Sequence, residues 1–264
     1  MKPFATIVLL VVSVMITSLS YAKHAVRLRY LPTSSTAEAA LAQKLQASHE
    51  LNTLVGFLNQ RFDLVVPINI LMGNQDGEDP DPLYDAYHQQ VLMPYEFFHT
   101  SRQLFESAPE RIMPTRAATA AMHAFLHTLL HEFAHALIDQ YSLPIVGREE
   151  DAADGLATLL LLQAFNDGQT MAIHAAELFL LESLARGPIE QADLWGEHSL
   201  DEQRYYQILC WVYGSQPEAY GQPLGDTQWS IERLDMCVED YNLLHSSWSI
   251  LLSILDDYSP TSQR

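Results

Sequence analysis

From about Thr115 to Tyr141 the sequence reads as one long helix, which sets strong terms for the rest of the chain. Pro114 precedes it, and Ala117, Ala118, Ala120 and Ala121 are strong helix formers. Pro144 and Gly147 end it and make a tight connection to the next segment. Leu129, Leu130, Phe133, Ala134, Leu137 and Ile138 surround its few polar positions, so this stretch belongs against a packed core. Its polar side chains must then be buried too, and a buried polar group without a partner is costly. Four of them are histidines, at 123, 127, 131 and 135.

His131 and His135 are four residues apart, which stacks two side chains on one helix face about one turn apart. Two imidazoles so placed can both reach one zinc ion at about 2.0–2.1 Å. Glu132 projects beside them, where a carboxylate can take a proton from a metal-activated water and pass it to a leaving amine. The expected roles are therefore His131 and His135 as metal ligands and Glu132 as catalytic base.

His123 and His127 continue the series backwards. Each step of four turns the position by about 40° round the helix, because a turn holds 3.6 residues. The pair His127 and His131 has the right spacing but carries Thr128 where the base should stand. His123 and His127 are expected to be packing or solvent-facing histidines.

A catalytic zinc needs a third protein ligand and an open position. A second helix is expected over about Glu149 to Phe165, and Glu150 and Asp154 share one of its faces. Glu150 is the expected third ligand, with Asp151 a weaker rival. Asp154 is expected to accept a hydrogen bond from the far nitrogen of a ligand histidine. Ala152 and Ala153 let the two helices approach. Glu149 reads as an ordinary acidic helix start, complementing the dipole.

Elsewhere the pattern is mixed. Lys23 to Tyr30 alternates like a strand, and residues 36–61 carry an apolar helical face that Thr36 can cap. Phe62 to Leu71 reads as a buried strand, and Gly73 to Pro82 as an acidic loop without calcium-loop spacing. Tyr84 to Tyr87 and Gln90 to Tyr95 suit a hairpin, with the strand near Val91 to Tyr95 as candidate sheet edge for an extended peptide. Further helices are expected over 96–107, 169–185, 201–213 and 240–256.

Residues 1–22 have the layout of a secretory signal peptide: Lys2, an apolar run from Phe4 to Leu19, then Ser20-Tyr21-Ala22. An uncleaved anchor is the alternative reading. No membrane span is expected after cleavage, and 23–264 is expected to form a single domain, periplasmic or secreted. In that setting Cys210 and Cys237 suggest a disulfide, against two free buried thiols. The formal charge of −19 argues against a nucleic-acid partner. The oligomeric state is not legible.

The order His-Glu-x-x-His, then Glu-x-x-Ala-Asp, resembles the gluzincin pattern shared by thermolysin-like peptidases. The stretch HEFAHALIDQYSLPIVGREEDAADGLA is similar to a bacterial metallopeptidase family. The likeness continues in EHSLDEQRYYQILCWVYGS and from Cys237 to Trp248, about the C-terminal two-thirds of the chain. It implies a zinc peptidase acting on peptides or proteins. The order of helix, sheet edge and active-site helix along the chain also suits a mainly helical α+β, zincin-like fold with a small N-terminal sheet and the His-Glu-x-x-His motif on an active-site helix. The interval from His135 to Glu150 is shorter than in thermolysin-like enzymes, so their substrate-binding residues do not carry over. From its position and this resemblance, His198 is the candidate to stabilise an oxyanion; the alternative is a surface histidine at a helix start. Tyr205 and Tyr206 are rival donors, with core packing the preferred reading. A non-catalytic zinc-containing binding protein is the second expectation, against which Glu132 argues.

Overall fold

The computed structural model describes residues 25–74, 81–108, 117–219 and 229–258. The expected leader at 1–22 and most of the acidic loop lie outside the described residues. The fold is mainly helical with one small sheet.

Strand β1 (Val26–Tyr30) is followed by α1 (Thr36–Ala47) and α2 (His49–Arg61). The apolar pattern over 36–61 suggested one helix, but Ser48 divides it. Its backbone is extended and its Oγ accepts from Leu51 N at 3.1 Å, starting α2 afresh. The first helix is capped by Ser35, not Thr36. Asn59 on α2 ties back to β1, accepting from Val26 N at 2.8 Å and donating to Val26 O at 3.1 Å.

Strand β2 (Ile68–Met72) begins only after Pro67, which has no N–H to give a ladder, so the expected start at Phe62 is corrected. Next come β3 (Leu83–Asp85), β4 (Gln90–Met93) and α3 (Tyr95–Ser107). The sheet order is β1-β2-β4-β3, parallel except for β3, which runs antiparallel to β4. The hairpin is as expected, but the edge is not: β4 lies inside the sheet, and β3 is the outer strand.

The helix α4 (Ala117–Tyr141) packs against α3, β3 and β4, and against α5 (Glu149–Ala164) and α6 (Gly168–Arg186). Its buried residues lie on all sides, among them Leu126, Leu129, Leu130, Phe133 and Leu137. Ser142, at φ 49°, reverses the chain, and Leu143 N bonds Ile138 O at 3.0 Å. Gly147, at φ 102°, completes the return to α5.

Helices α7 (Asp201–Ser215) and α8 (Ile231–Tyr258) close the fold. The last helix begins earlier than the expected residue 240. Cys237, in its early turns, is disulfide-bonded to Cys210 on α7. Only glycine fits at 214, since a Cβ there would lie 2.1 Å from Cys237 O. On the loop-entropy model the bridge, which spans 27 residues, contributes about 3.5 kcal/mol. Among the described residues no helix is long and apolar enough to cross a membrane.

Candidate metal centre

Three elements bring the polar residues together. Helix α4 carries His131, Glu132 and His135; the turn at 142–148 returns α5 with Glu149, Glu150 and Asp154 against them; and the segment before α7 supplies His198. His131 Nε2 lies 3.1 Å from His135 Nε2 and 3.0 Å from Glu150 Oε2, and His135 Nε2 is 3.4 Å from the same oxygen. Four ligands held tetrahedrally at about 2.0–2.1 Å from one ion would stand at comparable separations. The far nitrogens are engaged elsewhere. His131 Nδ1 is 2.8 Å from Asp154 Oδ1, and His135 Nδ1 is 2.8 Å from Glu149 Oε1. With Nδ1–H donating to a carboxylate, each Nε2 turns a lone pair toward the other and toward Glu150. Such a convergence of acceptors calls for a positive charge, so the donor set fits a metal ion.

The same pull sets the protonation preferences of these groups. Burial opposes a charge on His131, but hydrogen bonds to Asp154 and Glu150 outweigh it and raise its pKa to about 9. His135 is raised too, its burial outweighed by its bonds to Glu150 and Glu149. Burial would raise the Glu150 carboxyl, yet bonds from His131, His135 and His198 hold it far below the carboxylate range. Asp154 is likewise held low, against its burial, by Arg204 and then by His131. Glu132 goes the other way: burial raises its pKa.

The site opens into a cleft of about 470 Å³ between α4 and β3, lined by Leu83, Tyr84, Glu132, His135, Glu150 and His198 among others. The backbone of Tyr84 on β3 opposes part of the burial-driven rise at Glu132. Tyr84 Oη donates to Asp139 Oδ2 at 2.8 Å, fixing the strand to the helix one turn beyond His135.

The family model described as "Putative metallopeptidase" matches residues 30–252, most of the chain. The chain belongs to this metallopeptidase family. No curated protein and no solved structure matches it. The family supports a hydrolase of the peptidase type, and the convergence of His131, His135 and Glu150 gives it a group that can hold a metal.

Within this candidate metal centre the expected residues lie together. His198 Nε2 is 2.8 Å from Glu150 Oε2, and its ring stacks over His131 with centroids 6.1 Å apart. Three contributors were not foreseen. Glu149, expected only as a helix-start acid, partners His135. Arg204 grips Asp154 through Nε to Oδ2 at 2.7 Å and Nη2 to Oδ1 at 2.8 Å. Arg148 Nη1 donates to the carbonyls of Gly196, Glu197 and His198 at 3.1, 3.3 and 2.6 Å, pinning the loop that presents His198. No local spacing signals any of these, because each contact spans two elements. His123 and His127 are buried, so the packing reading holds for them and the solvent-facing one is corrected. Tyr205 is core as expected, but Tyr206 is exposed.

Proposed function

We propose that the protein is a zinc-dependent peptidase of the gluzincin type on a zincin-like fold, which hydrolyses peptide bonds in peptide or protein substrates. The observation that carries the reading is the convergence of His131 Nε2, His135 Nε2 and Glu150 Oε2 beside Glu132, at the floor of a cleft bordered by a sheet edge. Two imidazoles and a carboxylate are a donor set suited to zinc with a position left open. Zinc held there supplies Lewis acidity, polarising a carbonyl and lowering the pKa of water to near 7.

The chain's own residues do the rest. Glu132, raised by burial, is a stronger base than an exposed carboxylate; it takes the proton of the attacking water and returns it to the leaving amine nitrogen. His198 donates to the carbonyl oxygen as negative charge builds there. Asp154, anchored by Arg204, holds the His131 tautomer, and Glu149 does so for His135. The outer strand β3 lines the cleft, which suits an extended chain laid along it. The Cys210–Cys237 bridge and the leader-like residues 1–22 support export to an oxidising compartment, periplasmic or extracellular.

The test is a peptide-library digest combined with elemental analysis. Glu132→Gln is expected to lower kcat/KM by about 10²–10⁴-fold, the range of general-base catalysis, while the zinc stays bound. Wild-type protein prepared without chelator that carries no zinc sinks the reading. Zinc present with no cleavage of any peptide points instead to a zinc-containing binding protein.

A further inference from the structure

A second pocket, about 380 Å³, adjoins the cleft, sharing Pro82, His131, Glu132 and His198 with it. Phe97, Leu178 and Phe179 give it apolar walls, and Asp81, Glu96 and Glu182 give it three carboxylates. Resting on the peptidase reading above, we propose that this pocket takes a lysine or arginine side chain of the substrate near the scissile bond, with Glu182 as its carboxylate partner.

Glu182 carries the argument. It lies on α6 one turn beyond Phe179, half-buried at the pocket wall. It hydrogen-bonds no side chain among the described residues. Burial pushes its pKa up to about 7; Asp201 and Asp81 add to the rise and Arg204 opposes it. A carboxyl drawn partly out of water with no side-chain hydrogen bond is poorly compensated, and a cation entering the pocket would supply the missing partner.

Arg204 lines the same pocket but does not fill that role. Its Nε and Nη2 are committed to Asp154, and its guanidinium lies 3.8 Å over the Phe179 ring. Its charge is thus offset by Asp154, leaving the pocket with an acidic excess. The chemistry selects among substrate side chains. Lysine and arginine have long apolar stems that suit the aromatic walls while the charged end reaches the carboxylates. An acidic side chain would be repelled, and a short neutral one would leave Glu182 unpaired.

The test separates binding from turnover. Zinc-loaded Glu132→Gln protein is titrated by calorimetry with blocked neutral peptides that carry one lysine, or norleucine as control, at successive positions. At one position lysine is expected to bind at least about tenfold more tightly than norleucine, as for a hydrogen bond to a charged group. Adding Glu182→Gln should bring the lysine peptide down to the norleucine level, whereas Glu182→Asp should keep part of the preference. Thermal melts confirm that each variant is folded. Lysine and norleucine peptides that bind alike, or not at all, overturn the proposal, as does a preference that survives Glu182→Gln. A lysine preference in binding, with no peptide cleaved by the wild-type protein, would sink the peptidase reading while leaving the pocket assignment standing.

Discussion

The two halves of α4 carry the same histidine spacing with opposite outcomes. His123 and His127 are spaced like His131 and His135, and both are buried. His123 Nδ1 meets His174 Nδ1 at 2.7 Å, and His127 Nε2 meets Thr158 Oγ1 at 3.3 Å. These partners are neutral, so burial dominates and both pKa values fall. His131 and His135 instead face Asp154, Glu149 and Glu150, and there the carboxylates overcome burial. Four-residue spacing therefore aligns imidazoles, but the facing helix decides whether they hold a metal or pack as neutral rings. The sharpest break of this contrast is a pair of variants. His135→Ala should remove the bound metal, while His127→Ala should leave metal content at the wild-type level and cost about 2–4 kcal/mol through the cavity it opens. Elemental analysis and melting curves read both, and equal metal loss in the two would erase the distinction.

Acid should also tell the halves apart. His127 has a folded pKa near 4, lowered by burial, against about 6.5 when unfolded. Below about pH 6.5 the unfolded chain binds a proton that the folded one refuses. The stability from this group is thus complete above pH 6.5 and is lost as pH falls toward 4, by up to about 3 kcal/mol. His174, also near 4, adds a loss of the same sign. His127→Gln should flatten the fall in melting temperature between pH 6.5 and 4, measured by scanning calorimetry. An unchanged slope would mean that His127 is not held neutral.

The hydrogen-bonded partners extend the contrast one layer outward. Asp154 and Thr158 are four residues apart on α5, and each faces one histidine of α4. Asp154→Asn should weaken zinc affinity by about 10–100-fold in a chelator competition, since it orients a proposed ligand. Thr158→Val should leave that affinity alone. A comparable loss in both would show that packing, not the Asp154 charge, positions His131.

How far the sequence foretold this arrangement depends on how local each feature is. The long helix, the His131–Glu132–His135 cluster, and Glu150 and Asp154 are each fixed by spacing on one helix, so periodicity exposes them. The break at Ser48 was missed because the apolar face runs on across it, while a single hydroxyl decides the cap. The sheet edge was misplaced because strand adjacency is a long-range property: β4 is covered on its far side by β3, which precedes it in the chain. Arg204 and Arg148 were out of reach for the same reason. Each reaches its partners about fifty residues away, and nothing in the local pattern marks them.

Glu149 makes the finest version of the comparison, because it performs for His135 the task that Asp154 performs for His131. Both carboxylates sit 2.8 Å from an Nδ1. They differ in setting: the Asp154 side chain is 4% exposed and held by Arg204, whereas that of Glu149 is 50% exposed. Water screens the second pair and offers His135 a substitute acceptor, so its contribution should fall to that of a surface ion pair. Glu149→Gln is therefore expected to weaken zinc affinity by no more than about fivefold, below the loss from Asp154→Asn in the same chelator competition. If the two variants lose equally, exposure does not rank these partners, and the orientation of His135 matters to the metal as much as that of His131.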